Sequence, residues 1–190
     1  MTIGLPNIVT SIRILLIPIL VVVFYLPFES RYLAASVVFS LASITDWLDG
    51  YLARRLDEMT PFGAFLDPVA DKLIVAVALI LLVEVHASAI LAIPALVIVG
   101  REIVVSALRE WMANYSSSRS VAVSLVGKIK TGVQMTAIIV LLAVGPQDQS
   151  VWVVLGFVLL YAAAGLTLWS MFLYLRVAWP DLASGMTKKD

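Results

Sequence analysis

Asp46, Asp49, Asp67 and Asp71 are four of the five aspartates within one short stretch, DWLDGYLARRLDEMTPFGAFLDPVAD, at residues 46–71. Asp46 and Asp49 are related as i, i+3, and Asp67 and Asp71 as i, i+4, so each pair lies on one face of a helix. The flanking segments, 31–45 and 72–83, are almost wholly apolar. An ionised carboxylate in hydrocarbon is costly, so such acids face a polar interior and mark a working site. Carboxylates crowded in this way repel one another and take up protons unless positive charge neutralises them. Hard, all-oxygen donors suit Mg²⁺ or Mn²⁺. The plainer alternative is acids capping helix ends in solvent; Asp46 and Asp71 argue against it, because both fall inside apolar runs.

The elements that must position these acids are membrane helices. The chain of 190 residues is 62% hydrophobic and 14% charged, with a mean hydropathy of +1.02, whereas a soluble domain is roughly half apolar and a quarter charged. The fold expected is all-α and polytopic, one membrane domain over 1–176 followed by a polar cytoplasmic tail, 177–190. The absence of cysteine excludes a disulfide framework and thiolate chemistry. No linker, low-complexity stretch or internal repeat stands out. Residues 14–26 are apolar, but Arg13 precedes a run containing Pro18 and no small-x-small site follows, so an uncleaved first membrane helix is expected rather than a signal peptide.

In chain order, Met1 to Ser11 reads as a short interfacial segment, with Asn7 placed to cap a helix just after Pro6. Asn7, Thr10 and Arg13 recur at helical spacing and make one polar face near a membrane surface. That face is either a cap with an interfacial anchor or a substrate contact. Six transmembrane helices are predicted near 12–27, 31–54, 61–84, 88–112, 129–145 and 151–176, each near the roughly 17–25 residues a span needs. The breaks between them carry Pro, Gly or charge. His86, the only histidine, is expected in an outer loop, solvated. Trp111, Trp152, Trp169 and Trp179 read as interfacial anchors or packing residues.

Cations are distributed unevenly. Arg13, Arg54, Arg55, Arg109, Arg119, Lys128, Lys130, Arg176, Lys188 and Lys189 fall on one side of these spans, Arg31 alone on the other, and Lys72 and Arg101 within them. Positive loops stay in the cytoplasm, which places both termini and the 54–60 loop there, in a cell inner (cytoplasmic) membrane with the acids facing the cytoplasm. Asp46 then lies about 12 Å before Arg54, and Asp67 and Asp71 about 9 and 15 Å in from Pro61, at the helical rise. Arg101 lies at a similar depth, about 12 Å before Arg109. Gly50, Ala53 and Gly63 flank the acids, where small residues let helices pack closely or let a ligand lie against backbone. Pro68 falls one turn into the third span and frees a backbone carbonyl there.

The pattern D-x-x-D-G-x-x-A-R-x8-G-x-x-x-D-x-x-x-D, met by Asp46, Asp49, Gly50, Ala53, Arg54, Gly63, Asp67 and Asp71, resembles the signature of the CDP-alcohol phosphotransferases. The likeness extends over about residues 5–176. Three further stretches, NIVTSIRILLIP, GREIVVSALREW at 100–111 and GKIKT at 127–131, resemble the phosphatidylglycerophosphate synthases within that family. The resemblance implies transfer of a phosphatidyl group from CDP-diacylglycerol to sn-glycerol 3-phosphate with release of CMP. It implies two divalent cations, Mg²⁺ or Mn²⁺, bridged by Asp46 and Asp67 and completed by Asp49 and Asp71, with Asp71 also the general base. By the same likeness Asp49, Gly50, Ala53, Arg54 and Gly63, with Asn7, Thr10 and Arg13, would hold CDP-diacylglycerol, and the enzyme would be a homodimer.

An acceptor phosphate needs a basic pocket near, but separate from, the metals. Arg101, Arg109, Lys128 and Lys130 are the set available, and Arg101 and Arg109 lie two turns apart on one helix face. The competing role for these residues is to anchor helix ends to lipid headgroups. Other acceptors, namely inositol phosphate, serine or phosphatidylglycerol, fit the core pattern as well. A divalent-cation transporter would spread its acids through the membrane depth, whereas here they are gathered at one end.

Overall fold

Each apolar run becomes one helix. The computed structural model describes residues 5–56, 61–115 and 125–186. Six helices follow in order: α1 (Leu5–Tyr25), α2 (Arg31–Leu56), α3 (Pro61–His86), α4 (Ala89–Tyr115), α5 (Leu125–Ala143) and α6 (Val151–Met186). Among the described residues the neighbour relations close a ring, α1–α2–α5–α6–α4–α3 and back to α1, with α3 also meeting α2 and α5 across it. No packing of α4 against α5 occurs among these residues, which leaves a wedge between α3, α4 and α5.

The helices are apolar on both faces. Ile17, Leu20 and Phe24 of α1, Ala35, Phe39 and Ala42 of α2, Ala78, Leu79 and Leu82 of α3, Leu91, Ala95 and Ile98 of α4, Leu141 and Leu142 of α5 and Leu160 and Ala163 of α6 form the buried core. On α1, α2 and α4 their spacings of three, four and seven mark one stripe. The opposite stripes carry exposed Leu15, Val22, Leu33, Leu41, Ile80, Leu96, Val158 and Phe172. A helix apolar all round belongs in hydrocarbon. Among the described residues, Ala89–Met112 and Val151–Trp179 are long and apolar enough to cross a membrane on their own, while Thr10–Tyr25, Arg31–Thr45 and Ile129–Ala143 are shorter apolar stretches. Small residues set the approach distances: a Cβ on Gly156 would lie 2.6 Å from Leu141 Cδ2, so α5 and α6 meet there because position 156 has no side chain.

The turn between α3 and α4 fixes the register of the site. Ala87 adopts φ 44° and its N–H donates to Val83 O at 3.0 Å, closing α3 with a left-handed residue. Ser88 Oγ then accepts from Ile90 N at 3.2 Å, capping α4. Asp71 lies 16 residues before Ala87 and Glu102 lies 15 after it, so the tight antiparallel turn brings them to one level.

Several sequence expectations change. The separate interfacial segment is not formed: α1 already begins at Leu5, because Pro6 falls in the first turn, where its missing N–H breaks no bond. Asn7 therefore stands inside that turn rather than before the helix. α4 runs on to Tyr115 and α5 starts at Leu125. α6 continues past residue 177 to Met186, since Pro180 removes one backbone bond without stopping a run that resumes with Leu182 and Ala183. His86 is not a solvated loop residue. It is the last residue of α3, half-buried, with Nδ1 3.0 Å from Leu82 O and its ring edge-on to Phe157. Trp152, Trp169 and Trp179 are exposed, whereas Trp111 packs with Leu108, Met112 and Ala178.

Candidate active site

Asp67 and Asp71 lie one turn apart on α3, both half-buried, and both line a cavity of about 330 Å³ in the wedge between α3, α4 and α5. α3 also supplies Pro68, Lys72 and Val75 to it, α4 supplies Glu102 and Arg109, and α5 supplies Lys130, Thr131, Gln134 and Met135. α3 is continuous through Pro68, which removes one ladder bond in the turn that carries the two acids.

α1 reaches the same two acids from the other side. Thr10 Oγ1 donates to Asp67 Oδ1, and the Arg13 guanidinium pairs with Asp71 Oδ1. Both α1 side chains are 1% exposed. A cation that deep requires a counter-charge, and Asp71 provides one. The polar face read at Thr10 and Arg13 thus turns inward onto the acids.

The α4 wall is ionic. Lys130 Nζ donates to Glu102 Oε1 at 2.5 Å, and Arg101 NH1 donates to the same oxygen at 3.3 Å. Arg101 is 8% exposed; its NH2 donates to Ser170 Oγ at 2.9 Å on α6, so this guanidinium is directed toward α6 and is not among the residues lining the cavity. Arg109, two turns on, does line it, and its NH2 donates to Tyr174 OH at 2.8 Å. Glu102, Thr131, Gln134, Ser170 and Tyr174 were not singled out from the sequence. Glu102 had a usable signal, as an acid directly beside Arg101 within an apolar span.

Asp46, Asp49, Gly50, Ala53 and Arg54 stand on the last turns of α2; their side chains, with those of Asn7 and Lys128, lie outside the described residues. Gly63 is buried in the first turn of α3. A second groove, about 320 Å³ and lined by Val69, Leu73, Ala76, Val99 and Ile103, shares Lys72, Val75 and Glu102 with the cavity. The apolar groove between α3 and α4 therefore lies directly beside the polar chamber.

The family model described as CDP-alcohol phosphatidyltransferase matches residues 3–169. A protein of Pseudomonas fluorescens named CDP-diacylglycerol–glycerol-3-phosphate 3-phosphatidyltransferase is 56% identical over 187 residues, 98% of this chain and 95% of its own. Proteins of the same name from Yersinia pestis (strain Pestoides F) and Salmonella choleraesuis (strain SC-B67) are 50% and 49% identical over 96% of this chain and 98% of theirs.

Proposed function

The chain belongs to the CDP-alcohol phosphatidyltransferase family, and from that premise we propose that it transfers a phosphatidyl group from CDP-diacylglycerol to sn-glycerol 3-phosphate. The products are phosphatidylglycerophosphate and CMP, a step of phospholipid synthesis. The observation that carries this reading is one cavity with Asp67 and Asp71 on its α3 wall and Arg109 and Lys130 on its α4 and α5 walls. Carboxylates activate and cations receive; a reaction between a diphosphate and a phosphate-bearing alcohol needs both in reach.

Two divalent cations, Mg²⁺ or Mn²⁺, belong to the proposal. The donor set fits them: Asp67 and Asp71 are all-oxygen ligands, one turn apart, turned to a polar cavity and already matched there by a hydroxyl and a guanidinium. Asp46, Asp49, Asp67 and Asp71 would hold the pair. When bound, the ions neutralise charge on the diphosphate and on the attacking and leaving oxygens. The chain's own residues do the rest. Arg109, Lys130 and, by sequence position, Lys128 receive the acceptor phosphate, with Arg101 one layer behind. Arginine suits bidentate phosphate capture. Asp71 takes the proton of the attacking hydroxyl as the new O–P bond forms and the diphosphate P–O bond breaks, releasing CMP. Asp49, Gly50, Ala53, Arg54 and Gly63, with Asn7, hold the donor nucleotide and diphosphate, and Thr10 and Arg13, buried against Asp67 and Asp71, act through those acids. The apolar groove beside the cavity suits a donor whose acyl chains never leave the bilayer.

The same reading includes six membrane spans, an active site facing the cytoplasm and a homodimer. A detergent-corrected mass equal to the 20.6 kDa monomer would remove the dimer. For the activity, purified protein given CDP-diacylglycerol, labelled glycerol 3-phosphate and Mg²⁺ or Mn²⁺ is expected to put label into the lipid phase with matching CMP release. No label in lipid with either metal sinks the proposal.

A further inference from the structure

The acceptor side of the cavity is built by α4 and α5, and α4 packs on the second half of α6. Arg101 and Arg109 share one face of α4 with buried Val105 between them, and that face lies on α6. Arg101 donates to Ser170 at 2.9 Å and Arg109 to Tyr174 at 2.8 Å. Ser170 is 4% exposed and its own hydroxyl donates to Thr167 O at 2.9 Å, so it is fixed as an acceptor. The Tyr174 ring lies under both guanidiniums, 5.9 Å from Arg101 Cζ and 5.1 Å from Arg109 Cζ. Ser170 and Tyr174 both fall beyond residues 3–169, where the family model matches.

We propose that Tyr174 is a positioning residue for acceptor binding: its hydroxyl and ring hold Arg109 at the cavity in the pose that receives a phosphate. Arg109 is an exposed side chain with many rotamers, and freezing them costs binding free energy unless something freezes them beforehand. Tyr174 does so without charge. A carboxylate in its place would orient Arg109 equally well but would compete with the incoming dianion. A phenol accepts one N–H and offers a π face, leaving the other guanidinium donors for the ligand. Tyr174 does not line the cavity among the described residues and acts only through Arg109. This inference rests on the acceptor site placed above.

The test is steady-state kinetics on the full chain in detergent, with glycerol 3-phosphate and CDP-diacylglycerol varied separately. Tyr174→Phe keeps the ring and loses the hydroxyl; Tyr174→Leu loses both. The expected result is a KM for glycerol 3-phosphate raised about threefold to tenfold in Tyr174→Phe and further in Tyr174→Leu, with kcat and the KM for CDP-diacylglycerol unchanged. Arg109→Ala is expected to raise the same KM, and Arg109→Ala with Tyr174→Phe to do no worse than Arg109→Ala alone. Should Tyr174→Leu fail to fold, Tyr174→Phe decides. A raised KM in Arg109→Ala beside wild-type values in Tyr174→Phe overturns the positioning role and leaves the acceptor site standing. An unchanged KM in Arg109→Ala overturns both. Equal rises in the two substrates' KM values would show mere structural damage and overturn it as well.

Discussion

Asp67 and Asp71 differ in what holds them. Asp67 accepts from a neutral hydroxyl, Thr10, whereas Asp71 is paired with the buried Arg13. In the proposed reaction Asp67 and Asp71 would both hold the divalent cations, and Asp71 also takes a proton. Asp71→Asn is therefore expected to lower kcat by about 10²–10⁴-fold, the range for losing a general base, at metal concentrations that still saturate the enzyme. Asp67→Asn is expected to abolish activity by removing a charge that would hold the cations. Retention of wild-type turnover by either variant, or full activity in excess EDTA, would contradict these roles. The acids were legible in the sequence because charge in an apolar run stands out and its spacing is helical. Glu102 carried the same signal, an acid within an apolar run, but was not singled out; only the fold shows that its carboxylate reaches across to Lys130. Arg101 and Arg109 were legible as a pair on one face, but which way that face turned depended on α6.

At the scale of elements, α4 and α5 do not pack on each other among the described residues and are joined across the cavity by the Glu102–Lys130 pair. Lys130 is 4% exposed, so removing its partner strands a buried ammonium. Glu102→Gln is expected to cost about 3 kcal/mol of stability, read as a lower melting temperature in detergent. Adding Lys130→Gln to it should restore most of that loss while acceptor affinity stays poor. A double variant no more stable than Glu102→Gln would show that the pair is not what joins the helices. Helix existence and order were readable from hydropathy. Helix ends were not: Pro6 and Pro180 look like boundaries, yet one costs nothing in a first turn and the other is spanned by α6. The register of α3 against α4 depends on Ala87 in a left-handed conformation, a residue type that does not announce such a turn.

Across the whole molecule, the polar machinery occupies one end of an apolar bundle. Thr10, Arg13, Asp67, Asp71, Glu102, Arg109 and Lys130 gather there, while Arg31, Gly145 and Asp148 line a pocket at the opposite end. On the topology proposed from the cation count, the first end faces the cytoplasm. The chain has no cysteine, so single introduced cysteines report sidedness cleanly. One at Ser118, outside the described residues, should react with a membrane-impermeant thiol reagent only after cells are opened. One at Gln149, exposed in the α5–α6 turn, should react in cells whose outer barrier admits the reagent; the reverse pattern would invert the topology. The most direct measurement is CMP release by the purified enzyme with CDP-diacylglycerol and Mg²⁺ or Mn²⁺, compared across glycerol 3-phosphate, inositol phosphate, serine and phosphatidylglycerol. Glycerol 3-phosphate should give by far the highest kcat/KM, because serine and phosphatidylglycerol lack the phosphate monoester that Arg109 and Lys130 would receive and inositol phosphate is bulkier. Equal or higher kcat/KM with any other acceptor would contradict the assignment.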